Sequence, residues 1–144
     1  MQASTILLVE DDPNSVTLFK YAWQKAKITN PLQVARDGVE ALEYIEGAGP
    51  YADRLKYPVP ALVLLDLRMP RATGFEVLQR IRELPGRERL LVIVFTASTS
   101  EEDVSQAYAL GANAYLVKPS QLDDLVKIAA SIKDFWLTYN RPPR

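Results

Sequence analysis

Four kinds of polar residue stand directly behind short runs of hydrocarbon side chains: the acids Glu10-Asp11-Asp12, the acid Asp66, the hydroxyl of Thr96 and the ammonium of Lys118 before Pro119. Carboxylates gathered in one crevice repel one another unless a cation sits among them. With only oxygen donors on offer, Mg²⁺ is the natural guest. A hydroxyl and an ammonium beside that cation suit a phosphoryl group, whose oxygens need hydrogen bonds and positive charge. A carboxylate can itself be the nucleophile and become an aspartyl phosphate.

The elements that would bring these residues together are legible from the hydrophobic pattern. Short apolar runs predict strands at Thr5–Val9, Leu32–Ala35, Leu62–Leu65, Leu91–Phe95 and Ala114–Val117. Amphipathic segments alternate with them. Asp12-Pro13 opens a helix through Val16, Leu18, Phe19, Ala22 and Trp23 to about Lys27. Asp37 caps a short helix through Val39, Leu42 and Ile45. Thr73 or Gly74 begins a third through Phe75, Val77, Leu78 and Ile81, stopped near Pro85-Gly86. Ser100-Glu101-Glu102-Asp103 and Ser120-Gln121-Leu122-Asp123 both read as capping-box starts. The first of these helices reaches Leu110, with Gly111 as its stop. The second is predicted to run to about Tyr139, with a stripe of Leu122, Leu125, Val126, Ala129, Ile132, Trp136 and Tyr139. Ile128, Phe135 and Leu137 fall outside that stripe. Gly47–Pro60 reads as an extended loop, and Asn140–Arg144 as a tail that frays.

Five βα units imply a doubly wound α/β sheet with helices on both faces. Ligands of such sheets bind beyond the carboxyl ends of the strands, where the four polar groups stand.

Composition narrows the chemistry. The 144 residues match one compact domain, and Lys plus Arg (17) nearly balance Asp plus Glu (18). That balance argues against a nucleic-acid binder, which would show a basic stripe. There is no cysteine and no histidine, so thiolate chemistry, a Ser-His-Asp triad and Cys- or His-ligated metals are excluded. The longest apolar runs, Leu90–Phe95 and Ala61–Leu65, fall far short of the ~18 residues of a membrane span. No basic leader precedes Glu10–Asp12, and the cytoplasm is the expected location.

At this point the residues resemble a family: the CheY-like response-regulator receiver domains of two-component signalling. The likeness rests on Val9-Glu10-Asp11-Asp12, on Leu65-Asp66-Leu67-Arg68-Met69-Pro70 with Gly74, on Phe95-Thr96-Ala97, and on Gly111-Ala112 through Tyr115 to Lys118-Pro119. It covers roughly Ser4 to Tyr139 of a single domain. The resemblance implies a flavodoxin-like (βα)5 fold with strand order 2-1-3-4-5. It implies that Asp66 is the phospho-acceptor and that Glu10, Asp11, Asp66 and the Arg68 backbone carbonyl bind Mg²⁺, with Mn²⁺ or Ca²⁺ as substitutes. Thr96 would bond the phosphoryl group, Lys118 would pair with Asp66 and then with the phosphate, and Tyr115 would be the aromatic switch that follows Thr96. The Lys118–Pro119 bond would be cis. Asp12, ahead of Pro13, reads as a helix cap rather than a ligand.

Two features depart from the common pattern. The Gly47–Pro60 loop is longer than most receivers have, and Arg68 and Ser98 occupy variable positions two residues past Asp66 and Thr96. Arg68 is expected to influence water access and so the phosphoryl lifetime. An attached DNA-binding domain would need ~60–100 residues beyond the last helix. The expected output is therefore a protein contact or onward phosphotransfer. Without histidine the chain needs a sensor histidine kinase as donor. The long loop and the Phe135-Trp136-Leu137 end resemble stand-alone receivers paired with phytochrome-type kinases, and Phe135 and Trp136 are candidate homodimer contacts. The rival readings are a receiver-like interaction module that takes no phosphate and an aspartate-nucleophile phosphatase. The second lacks its Asp-x-Asp, because Asp66-Leu67-Arg68 has no second acid.

Overall fold

A computed structural model describes residues 4–143. Residues 1–3 and Arg144, the end of the expected tail, lie outside them. Five strands alternate with five helices: β1 (Ile6–Val9), α1 (Pro13–Lys25), β2 (Leu32–Ala35), α2 (Gly38–Glu46), β3 (Leu62–Leu65), α3 (Gly74–Glu83), β4 (Leu91–Thr96), α4 (Glu101–Ala109), β5 (Ala114–Val117) and α5 (Leu122–Ile132). All strand pairs are parallel, in the order β2-β1-β3-β4-β5.

Side-chain alternation divides the core. Leu7, Val9, Val63, Leu65, Val92 and Val94 point to one face, where Tyr44 and Ile45 of α2, Val77, Leu78 and Ile81 of α3 and Ala107 of α4 cover them. Ile6, Leu8, Leu62, Leu64, Ile93 and Phe95 point to the other, against Phe19, Ala22 and Trp23 of α1 and Ala129 and Ile132 of α5. The three central strands are buried on both sides, which is why they read as continuous hydrocarbon. The edge strands β2 and β5 are only partly buried.

Helix starts follow local chemistry, with two corrections. Asp12 accepts from Asn14 N–H, Asp37 from Glu40 N–H, and Thr73 and Glu76 form a full capping box. The capping box expected at Ser120–Asp123 does not form: α5 starts after Gln121 with no side-chain cap. At α4, Ser100 accepts from Asp103 N–H, but the Asp103 carboxylate turns elsewhere. Leu18, placed on the inner face of α1 by its periodicity, is half exposed.

The final helix also differs from its expected course. Regular α winding stops at Ile132, and Lys133–Tyr139 continues as a π-helix. The looser winding rotates the last residues off the 3.6-residue stripe. Leu137 therefore packs on the α1/α5 core while Tyr139 is exposed; Ile128, in the regular part of α5, also packs at the edge of that core. No helix among the described residues is long and apolar enough to cross a membrane.

The Gly47–Pro60 segment is folded rather than extended. It holds a 3-10 turn at Gly49–Tyr51, and the rings of Tyr44, Tyr51 and Tyr57 pack together with centroids 5.0 to 5.9 Å apart. Arg54 donates to the carbonyls of Tyr44, Ile45 and Tyr57 at 2.7 to 3.1 Å. It thereby adds to the Gly47 N–H, which caps Glu43 O and Tyr44 O, and supplies further donors at the carboxyl end of α2. A side chain on Gly47, at φ 75°, would collide with that guanidinium.

Candidate phospho-acceptor site

Strand register sets the site. Val9 lies beside Leu65, and Leu65 beside Val94. The residues that follow are therefore delivered to one end of the sheet at nearly one level. The ladder runs one step past the strands: Glu10 N–H donates to Ala35 O (3.0 Å), Asp66 N–H to Val9 O (3.1 Å) and Lys118 N–H to Thr96 O (2.7 Å). Backbone pairing thus anchors three of the polar residues at their own main chain.

Their side chains converge. Carboxylate oxygens of Glu10, Asp11 and Asp66 all lie within 4.8 Å of one another. Glu10 and Asp66 are buried, at 3% and 7% exposure, while Asp11 faces solvent. Lys118 Nζ donates to Asp66 Oδ2 (3.0 Å) and forms a second ion pair with Glu10 Oε1. The Arg68 N–H donates to Asp66 Oδ1 (3.3 Å), and the Asp12 N–H to Glu10 Oε2 (3.2 Å).

Burial lifts the Glu10 carboxyl above the usual carboxylate range, with the Lys118 ammonium working against it. For Lys118, burial pulls the pKa down, but its bonds to the two carboxylates outweigh this and raise it. The lysine is therefore firmly charged at neutral pH. One ammonium faces three carboxylates. The donor set is all oxygen and carries surplus negative charge, which fits a hard divalent cation.

Gly74 is required by this geometry. A Cβ there would come within 2.3 Å of Asp66 O and 2.7 Å of Leu67 Cα. The first turn of α3 lies directly on the Asp66 backbone only because that side chain is missing.

Thr96 closes β4 and is buried. Tyr115, half-buried on β5, donates its hydroxyl to Ser98 O at 3.0 Å, so it touches the loop just past Thr96. The expected cis bond before Pro119 is not found, since the described residues contain no cis peptide. Asp12 is engaged as the α1 cap and stands outside the carboxylate trio. The residue whose place the sequence reading missed is Asp103. It reads as an ordinary member of a helix start, yet it is buried and accepts from both Arg68 and Ser98. Only a tertiary contact could reveal that.

The model of one family, the response regulator receiver domain, matches residues 6–130. The chain belongs to the response regulator receiver family. Among similar proteins, the response regulator Rcp1 of Synechocystis is 39% identical over 132 residues, 92% of this chain and 88% of its own. A probable methanogenesis regulatory protein, FilR2 of Methanothrix harundinacea, is 38% identical over 141 residues, 96% of this chain and 86% of its own. The phosphorylated cyanobacterial phytochrome response regulator RcpA superposes with a TM-score of 0.90 at 34% identity, covering 99% of both chains. The Mn²⁺-bound form of Rcp1 superposes with a TM-score of 0.86 at 37% identity, covering 98% of this chain and 99% of its own. The receiver fold and the strand order read from the resemblance therefore hold. The manganese-bound relative and the Glu10–Asp11–Asp66 trio together point to divalent-metal binding by this receiver.

Proposed function

We propose that this receiver is a phosphorylation switch in which Asp66 accepts a phosphoryl group from a phosphohistidine on a sensor kinase. The observation that carries this is the Asp66 carboxylate itself. It stands between an acid pair and the Lys118 ammonium at the end of a fully buried strand.

In the transfer, an Asp66 oxygen forms a bond to phosphorus. The phosphorus–nitrogen bond breaks, and its electron pair stays on the departing imidazole. Lys118 follows the charge from carboxylate to phosphoryl oxygen, and the Thr96 hydroxyl bonds a second phosphoryl oxygen. Tyr115 packs inward after Thr96, trading its hold on Ser98 O, and the surface around α4 and β5 rearranges. Reset is hydrolysis: water adds to phosphorus, the acyl phosphate P–O bond breaks, and carboxylate and inorganic phosphate return. The domain assists both steps and acts as a regulator rather than an enzyme with a turned-over substrate.

Glu10, Asp11, Asp66 and the Arg68 backbone carbonyl would hold Mg²⁺, for which Mn²⁺ or Ca²⁺ substitutes. When bound, the ion offsets charge on the phosphoryl oxygens and balances the trio.

The partner is a sensor histidine kinase of the phytochrome type, in the cytoplasm. Likeness to Rcp1 and RcpA supports that class. A pocket lined by Leu18, Phe19, Pro119 and Leu125 opens beside Lys118, and the half-exposed Leu18 offers a kinase helix apolar purchase next to the acceptor. Of the two candidate contacts, Phe135 is exposed and supports a homodimer through the end of the last helix, while Trp136 packs against the α1/α5 core; Tyr139 is exposed at the same end. No nucleic acid or membrane is required.

Incubation with acetyl phosphate and Mg²⁺, followed by mass spectrometry, tests the central claim. A phosphoryl adduct on the peptide containing Asp66, absent from Asp66→Asn, is expected. No adduct overturns the reading in favour of a phosphate-independent interaction module, and steady phosphate release from many phosphomonoesters overturns it in favour of a phosphatase. Sedimentation over a range of concentrations tests the dimer, and a monomer throughout, with and without beryllofluoride, removes it.

A further inference from the structure

Arg68 is a cation in the backbone segment that touches Asp66. Its N–H donates to Asp66 Oδ1, yet its guanidinium does not serve the acceptor. Nη2 instead donates to Asp103 Oδ2 at 2.8 Å, on the first turn of α4. The same oxygen accepts from Ser98 Oγ at 2.6 Å, and Ser98 Oγ in turn accepts from Ser100 N–H at 3.2 Å. In an ordinary capping box the N3 acid would reach the N-cap N–H itself. Here that job passes through Ser98, which frees the Asp103 carboxylate to hold an arginine from the neighbouring loop. One buried carboxylate thus closes the start of α4 and restrains Arg68.

We propose that Asp103 is a positioning residue for phosphoryl transfer: it holds the Arg68 guanidinium away from Asp66, so the arginine reaches a phosphoryl group there only by releasing α4. This rests on the reading of Asp66 as the acceptor. A phosphoryl group brings up to about two negative charges and three strong acceptor oxygens, which a guanidinium matches better than it matches a single carboxylate oxygen. The Arg68 side chain is 70% exposed, so the ion pair is weak enough to be exchanged. Asp103 then keeps Ser98 but loses its cation, and the β4–α4 loop, with the Tyr115 hydroxyl on Ser98 O, is loosened on one side.

The test is a two-by-two set: the unaltered chain, Asp103→Asn, Arg68→Ala and the double variant. Each is titrated with beryllofluoride and Mg²⁺, which mimic the phosphoryl group on a carboxylate, and read by fluorine NMR. Asp103→Asn releases Arg68 without removing the helix start, and is expected to tighten beryllofluoride binding about threefold to fivefold. It is also expected to slow loss of the acetyl-phosphate-derived adduct. In the Arg68→Ala background the same change is expected to do nothing. Equal shifts in both backgrounds would mean that Asp103 acts through α4 alone and would overturn the proposal, as would no shift in either. Absence of any adduct on the unaltered chain is a different result, and it removes the acceptor reading itself.

Discussion

The Tyr51 hydroxyl donates a 2.7 Å hydrogen bond to Glu40 Oε1, and Glu40 Oε2 accepts from the Arg36 N–H ahead of α2. The Gly47–Pro60 segment is thus tied to the start of α2 as well as to its end. Next to that start, Asp37 pairs with Arg71, and Gly38 packs against Ala72 so closely that a Cβ would lie 2.5 Å from Ala72 O. The segment therefore braces the loop that follows Asp66.

Burial and the Glu40 carboxylate push the Tyr51 phenol well above its ordinary value near 10. A group whose pKa is higher in the folded state adds stability that is complete below its unfolded value and is lost as pH climbs toward the folded one. Tyr51→Phe is expected to cost roughly 1–2 kcal/mol at pH 8. The gap between the two proteins should narrow from about pH 10 upward. Urea unfolding at pH 8 and pH 11 checks this, and a gap that widens would contradict it.

Arg54→Ala should remove the guanidinium from the carbonyls of Tyr44, Ile45 and Tyr57, leaving Tyr44 O only the Gly47 N–H and Ile45 O only a long bond from Arg87 Nε. A loss of about 1–3 kcal/mol is expected, together with faster proteolytic nicking between Gly47 and Pro60. Arg54→Lys should restore little, because an ammonium lacks the planar fork that spans several carbonyls.

Gly74→Ala must move either α3 or the Asp66 carbonyl, since the contact is with backbone on both sides. We expect about 1–3 kcal/mol of destabilisation by denaturant titration. At denaturant-free conditions where the variant is still folded, uptake of acetyl phosphate should be slower than in the unaltered chain. Full stability and unchanged uptake would show that the close approach relaxes without consequence.

Asp11→Asn should have opposite effects with and without metal. In EDTA, three carboxylates facing one lysine become two, and the melting temperature should rise, by an amount worth up to ~1 kcal/mol because Asp11 is exposed. On adding Mg²⁺ or Mn²⁺ the unaltered chain should gain stability by linkage, and the variant much less. Thermal melts at several metal concentrations read both signs.

Much of the fold was legible because local and tertiary demands agree. Leu62–Leu65 is hydrocarbon because β3 is buried on both faces, and its end is marked by the abrupt change to Asp66. Leu32–Ala35 and Ala114–Val117 also run as their patterns indicate. The candidate site shared that legibility, since Glu10, Asp66, Thr96 and Lys118 each sit at a strand end. What stayed hidden depends on partners distant in sequence. Arg54 looks like a loop cation until α2 is beside it. Asp103 looks like a cap until Arg68, 35 positions earlier, reaches it. The π winding after Ile132 has no mark in a 3.6-residue pattern, so that pattern puts Leu137 and Tyr139 on the wrong faces. A cis bond before Pro119 rests on likeness alone, and the backbone there is trans.

The two-sided hydrocarbon interior of β1, β3 and β4 has a consequence for signalling fidelity. Those thirteen hydrocarbon positions, Ile6–Val9, Leu62–Leu65 and Leu91–Phe95, have no freedom to record who speaks to whom, because any polar change would cost the sheet its packing. Pathway identity has to be written on the rim: in strand-end loops, in the outward faces of α1, α4 and α5, and in the braced segment after α2. Two such domains in one cell could share an interchangeable middle and still ignore each other's kinases, and grafting rim residues onto a common interior would be the economical way to rewire one into the other's circuit.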